Sequence, residues 1–139
     1  MLKILLPAFA LLFSCSTLPA ASEDAPADPA ISADTLIGTW DVSLYFSEDA
    51  PPSSTMLVVA ATTDGDLEGS FYGSAFSESG VTVFKDEVLF TAVTADGTGP
   101  YLHSGRLSGD AEMIEGQTLS TGRDFLMAWT AVRQTEETE

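Results

Sequence analysis

From residue 38 the chain alternates apolar and polar positions. In GTWDVSLYF, residues 38–46, Trp40, Val42, Leu44 and Phe46 fall on one face of an extended segment, with Thr39, Asp41, Ser43 and Tyr45 on the other. Residues 56–62 read as a second strand, apolar on both sides. Asp64-Gly65 follows, a pair suited to the positive φ of a tight hairpin. Leu67, Gly69 and Phe71 then alternate with Glu68, Ser70 and Tyr72, and Ser79-Gly80 is expected to break the next run before 81–84. Residues 88–94 close at Asp96-Gly97, 101–107 turn at Gly109-Asp110, and 113–119 and 125–132 complete the series. Helical spacing is almost absent.

Short strands with turn signals roughly every eight to 12 residues are the pattern of an all-β sandwich or barrel. Tight turns between neighbours favour a single up-and-down antiparallel β-barrel of about eight strands over a Greek key. Closure removes the exposed edges and lays residues 128–133 beside 38–40. Trp40 would then sit inside one mouth with the Arg133 guanidinium over its indole, and Gly38 would leave room for the neighbouring backbone.

The flanks lack this period. Residues 1–15, MLKILLPAFALLFSC, carry one positive charge at Lys3 and an apolar run too short for a permanent membrane span, as in a signal peptide. Cys15 is the only cysteine, and Leu12-Phe13-Ser14-Cys15 resembles the bacterial lipoprotein box, in which the cysteine is lipidated and becomes the new N-terminus. Ordinary cleavage after Ala20 or Ala21 is the alternative. Residues 16–35, rich in Ala, Pro and acidic residues, read as a flexible tether; 36–133 as the barrel domain; 134–139 as a disordered tail.

At 139 residues there is room for one domain, and five basic residues stand against 21 acidic ones, a net charge of −16. Nucleic acid and anionic lipid surfaces repel such a chain, so membrane contact is expected only through a lipid anchor. With no further cysteine the domain must be held by its core.

Candidate chemistry is sparse. His103 is the only histidine, so a thiolate–imidazole zinc site and a Cys–His nucleophile pair are excluded from the domain. The serines lack a nucleophile-elbow setting. Asp64-Gly65-Asp66-Leu67-Glu68 lacks EF-hand spacing, and the glycine-rich 95–99 lacks the helix of a phosphate loop. The expectation is no catalytic residue, no metal, no cofactor and no enzyme activity. Arg106 and Arg123 are each expected to attract a carboxylate at the surface or rim, or else to anchor an acidic ligand head group.

Gly38-Thr39-Trp40 on the first strand, with Arg133 closing the last, resembles the signature of the lipocalins and the wider calycin superfamily, to which the avidins also belong. The resemblance implies a lipocalin/avidin-like barrel whose base is closed by Gly38, Trp40 and Arg133. With residues 1–15 as a targeting segment, an exported, periplasmic or outer-membrane-anchored protein of a bacterial envelope is expected, and the resemblance implies that it binds a small hydrophobic molecule. Val42, Leu44, Phe46, Phe71, Phe90, Tyr101, Phe125, Met127 and Trp129 are expected inside, and all of these but Val42 and Trp129 are expected to line the ligand site. The alternative is a filled barrel that serves as a protein-interaction or protease-inhibitor-like module. An internal cavity above ~300 Å³ favours a ligand, and a solid interior favours a protein partner.

Overall fold

The computed structural model describes residues 30–109 and 113–135. The expected signal peptide, Cys15 and its lipobox, most of the tether, Asp110 and residues 136–139 lie outside the described residues.

The alternation forms β1 (Gly38–Tyr45), which buries Trp40, Val42 and Leu44 and turns Asp41 and Tyr45 outward. Phe46 falls beyond the strand end and is 65% exposed, so the alternation stops one residue short of it. β2 (Ser53–Thr63) and β3 (Asp66–Phe71) are joined through Asp64 and Gly65 at φ +52° and +90°, the two positive angles the sequence suggests. β4 (Ser74–Ala75), β5 (Glu78–Phe84), β6 (Glu87–Asp96), β7 (Gly99–Leu107), β8 (Met113–Ser120) and β9 (Phe125–Arg133) follow.

All nine strands belong to one antiparallel sheet in the order β4-β3-β2-β1-β9-β8-β7-β6-β5. The count exceeds the expected eight because of the two-residue β4. First and last strands pair as expected, Trp40 opposite Arg133 and Leu44 opposite Trp129.

The ladder does not close, since β4 and β5 are edges that do not pair with each other. The sheet nevertheless curls until β3 and β5 face across a seam. Val81 N–H donates to the Gly65 carbonyl (2.8 Å). Ser79 Oγ accepts from Leu67 N–H (2.8 Å) and donates to the Leu67 carbonyl (3.0 Å). Ser79-Gly80 therefore does not break a strand. It lies inside β5, where the short hydroxyl replaces ladder bonds that the edge lacks. Curling also brings Phe71 of β3 onto His103 of β7, with ring centroids 4.2 Å apart.

The interior is dense at one end. Trp40, Leu57, Val59, Val88, Leu107 and Ile114 are fully buried there. Gly105 and Gly116 form a directly paired couple on β7 and β8, between Phe90 of β6 and Trp129 of β9 in the same row. A Cβ on Gly105 would stand 2.4 Å from the Phe90 ring, and one on Gly116 only 2.2 Å from the Trp129 ring. The two glycines thus let large rings lie flat against the sheet.

Order begins earlier than residue 36. Ile31 packs on the core, and a 3₁₀ helix (Ala33–Leu36) touches β2 and β5 and buries Leu36 completely. The apolar Ile31 and Leu36 supply the burial that an Ala/Pro/acidic tether lacks.

Candidate functional site

The two ends of the curled sheet differ. At the first, Trp40 Nε1–H donates to the Leu36 carbonyl (2.9 Å), which pins the 3₁₀ helix over the indole. The Arg133 guanidinium lies 4.1 Å from the centre of the Trp40 ring system and donates to the carbonyls of Ile37 (2.9 Å) and Thr35 (2.5 Å). Gly38, at φ +141°, makes room for this arrangement in an unexpected way. A Cβ there would meet Arg133 Nη1 at 2.7 Å, so the space is left for the guanidinium rather than for neighbouring backbone. Gly38, Trp40 and Arg133 are therefore brought together.

The opposite end is ringed by the β3–β4, β6–β7 and β8–β9 turns and by the chain leaving β1. It holds a cavity of about 150 Å³. Leu44, Phe46, Phe71, Tyr101, Phe125 and Met127 line it, six of the seven residues the sequence marks as lining. Phe46 contributes from the rim, as an exposed ring, rather than from inside. Phe90 is not in this cavity. It is buried deeper, over Gly105 and 6.4 Å from Trp129, because the paired glycines draw both rings into the filled half.

The rim is polar and built by local turn chemistry. Asp96 Oδ1 accepts from Thr98 N–H (2.7 Å) and Thr98 Oγ1 (2.6 Å), and Oδ2 accepts from the Tyr101 hydroxyl (2.8 Å). These bonds, those of Thr98 first, hold the Asp96 carboxyl below its ordinary pKa. The carboxylate is thus committed to the β6–β7 hairpin. Arg123 also lines the cavity, its guanidinium carbon 5.6 Å from the centre of the Phe125 ring. Arg106 is elsewhere, on the outer face, paired with Glu115 (2.9 Å) and Glu87 (3.7 Å). Tyr72 stands at the rim with φ +55°, a conformation that disfavours a bulky side chain.

Sequence reasoning missed the cavity's inner wall. His103 is buried, with Thr94 Oγ1 2.8 Å from Nε2 and Thr118 Oγ1 2.8 Å from Nδ1, and Trp129 Nε1–H donates to Thr118 Oγ1 (3.0 Å). Burial pushes the imidazole pKa down to about 4, so the ring is neutral near pH 7. Thr94, His103 and Thr118 all border the cavity. The available signal was parity: Thr94 shares its strand face with Phe90 and Ala92, and Thr118 with Ile114.

A second concavity, about 880 Å³ and open to solvent, runs over the outside of β5 to β9 past Thr91, Ser104, Gln117 and Ala128. Among the described residues no group of three or more His, Cys, Asp or Glu side chains is placed to hold a metal ion.

Compared with protein-family models and with curated protein sequences, the chain matches none.

Proposed function

We propose that this protein is a lipocalin-like β-barrel that binds a small hydrophobic molecule at its open end, exported to a bacterial envelope by residues 1–15 and held there through Cys15. The seam bonds between β3 and β5 and the Phe71–His103 stack support a barrel whose ladder is interrupted at one joint. Trp40, Arg133 and the 3₁₀ helix serve as its base.

The observation that carries the reading is the cavity at the other end, with aromatic walls and a few buried polar groups. Its size revises the ligand downward. At about 150 Å³ it falls short of the ~300 Å³ expected to favour a ligand, and it matches in volume an engineered core cavity that takes up benzene. The ligand is therefore a single ring or a molecule of similar bulk, and a fatty-acid chain does not fit inside.

Native mass spectrometry of the protein, purified without detergent and exposed to a bacterial small-molecule extract, tests the reading. A small adduct that leaves on activation, and that a folded Met127→Trp variant does not retain, supports it. An adduct-free chain overturns it.

A second reading, a protein-interaction module, is favoured by one feature of the outer face. Leu102, Leu119 and Leu126 stand directly opposite one another on β7, β8 and β9 and are 46%, 42% and 65% exposed. On a chain of net charge −16, such a row suits a protein partner with an apolar strip framed by basic residues. Loss of capture of such a partner on Leu119→Glu, with the cavity unaltered, would favour this reading.

A further inference from the structure

The polar wall of the cavity contains more hydrogens than it can use. Trp129 contributes an indole N–H, Thr118 and Thr94 one hydroxyl hydrogen each, and the neutral His103 ring one N–H. These four hydrogens serve only three contacts: Trp129 to Thr118, Thr118 to His103, and His103 to Thr94. One hydrogen is left over whichever tautomer the imidazole adopts.

Direction along the chain decides where the surplus falls. The indole can only donate, so one lone pair of Thr118 Oγ1 is taken. If Thr118 then donates to His103 Nδ1, the ring carries its proton on Nε2 and donates to Thr94 Oγ1. The Thr94 hydroxyl hydrogen is then free. In the reverse order Thr118 accepts twice, and its own hydrogen must find an outlet from the more crowded oxygen, which already has two partners. Thr94 Oγ1 has only the imidazole as a hydrogen-bond partner among the described residues, and the residue is 4% exposed and lines the cavity. A buried donor without an acceptor is unfavourable, and a ligand atom can relieve it.

We infer that the ligand of this cavity is a single-ring, apolar molecule bearing a hydrogen-bond acceptor, a carbonyl or similar oxygen, which receives the Thr94 hydroxyl. The inference rests on the small-molecule reading above. At the rim, the Asp96 carboxylate already accepts three hydrogen bonds and the Tyr101 hydroxyl donates to it, while the Arg123 guanidinium lies against the Phe125 ring. The relay of Trp129, Thr118 and His103 orients Thr94 and need not touch the ligand. Phe71, stacked on the imidazole, and Phe125 and Met127 supply apolar walls for the ring.

Two probes of the same shape separate the possibilities. Acetophenone carries a carbonyl where α-methylstyrene carries a carbon–carbon double bond. Calorimetric titration of the protein with each is expected to show acetophenone binding more tightly, on the order of fivefold. Thr94→Val is expected to abolish that preference. If both probes bind with equal affinity, the small-molecule reading stands and the acceptor inference is overturned. If neither binds, both fail.

The second measurement needs no variant. His103 is the only histidine, so its ring nitrogens give unambiguous nitrogen-15 resonances. A neutral ring protonated at Nε2 at pH 7 supports the assignment to Thr94. A ring protonated at Nδ1 overturns it.

Discussion

The guanidinium of Arg133 covers the indole of Trp40 at 4.1 Å, from the directly paired position on the neighbouring strand. The same guanidinium ties down two carbonyls of the segment that leads into β1. One side chain therefore joins the last strand, the first strand and the 3₁₀ helix. Trp40→Ala is expected to cost about 3–5 kcal/mol by removing a fully buried ring. Arg133→Lys keeps the charge but not the planar fork and is expected to cost about 1–2 kcal/mol. Urea denaturation of the two variants measures both, and wild-type midpoints would contradict the account.

The glycine pair makes a second prediction. Gly116→Ala drives a methyl group into the rigid Trp129 ring, where the ideal position is 2.2 Å away, and is expected to destabilise by about 1–3 kcal/mol. Gly97→Ala is the control, with nothing within 4 Å of its added Cβ, and is expected to stay within about 0.5 kcal/mol of wild type. Thermal unfolding followed by circular dichroism compares them directly.

The buried imidazole fixes the sign of a pH dependence. His103 faces Thr94, Thr118 and Phe71, and the titratable groups at the same cavity are Tyr72, Asp96, Tyr101 and Arg123 at its rim. Its folded pKa, about 4, lies below the ordinary 6.5, so between these values the unfolded chain binds the extra proton. The stabilisation is fully present above pH 6.5 and is lost as pH falls from 6.5 to 4, about 3 kcal/mol in all. The lowered Asp96 pKa acts in a separate window, with stability lost only below its ordinary 3.8. Urea midpoints at pH 7, 5.5 and 4 check this, and a flat profile would refute the burial of a neutral ring.

Tyr72 holds an aromatic side chain at φ +55° in the two-residue turn between β3 and β4, at the cavity rim. Asn accepts that backbone readily. Tyr72→Asn is expected to leave stability within about 1 kcal/mol, or to raise it, while weakening acetophenone binding several-fold. Paired denaturation and calorimetry would show the opposed effects, and unchanged affinity would detach Tyr72 from the site.

Period and turn chemistry made the sheet legible. Alternation in residues 38–45 and the Asp64-Gly65 turn placed β1 to β3, and Gly38, Trp40 and Arg133 anticipated the junction of first and last strands. Period alone did not show that Ser79 bridges a seam rather than ending a strand, because that depends on an edge formed by distant β3. Nor did it show that Phe90 lies away from the cavity, since Gly105 and Gly116 matter only once paired. The relay through Thr94, His103, Thr118 and Trp129 draws on four strands, β6 to β9, and nothing local joins them.

The cavity at the open end is proposed to take a one-ring ligand. Amide and methyl resonance mapping during titration with acetophenone tests it most directly. The account predicts shifts confined to Phe71, Thr94, Tyr101, His103, Phe125 and Met127 and to the Trp129 indole N–H. An unchanged spectrum, or shifts centred on Leu102, Leu119 and Leu126 of the outer face, would contradict it.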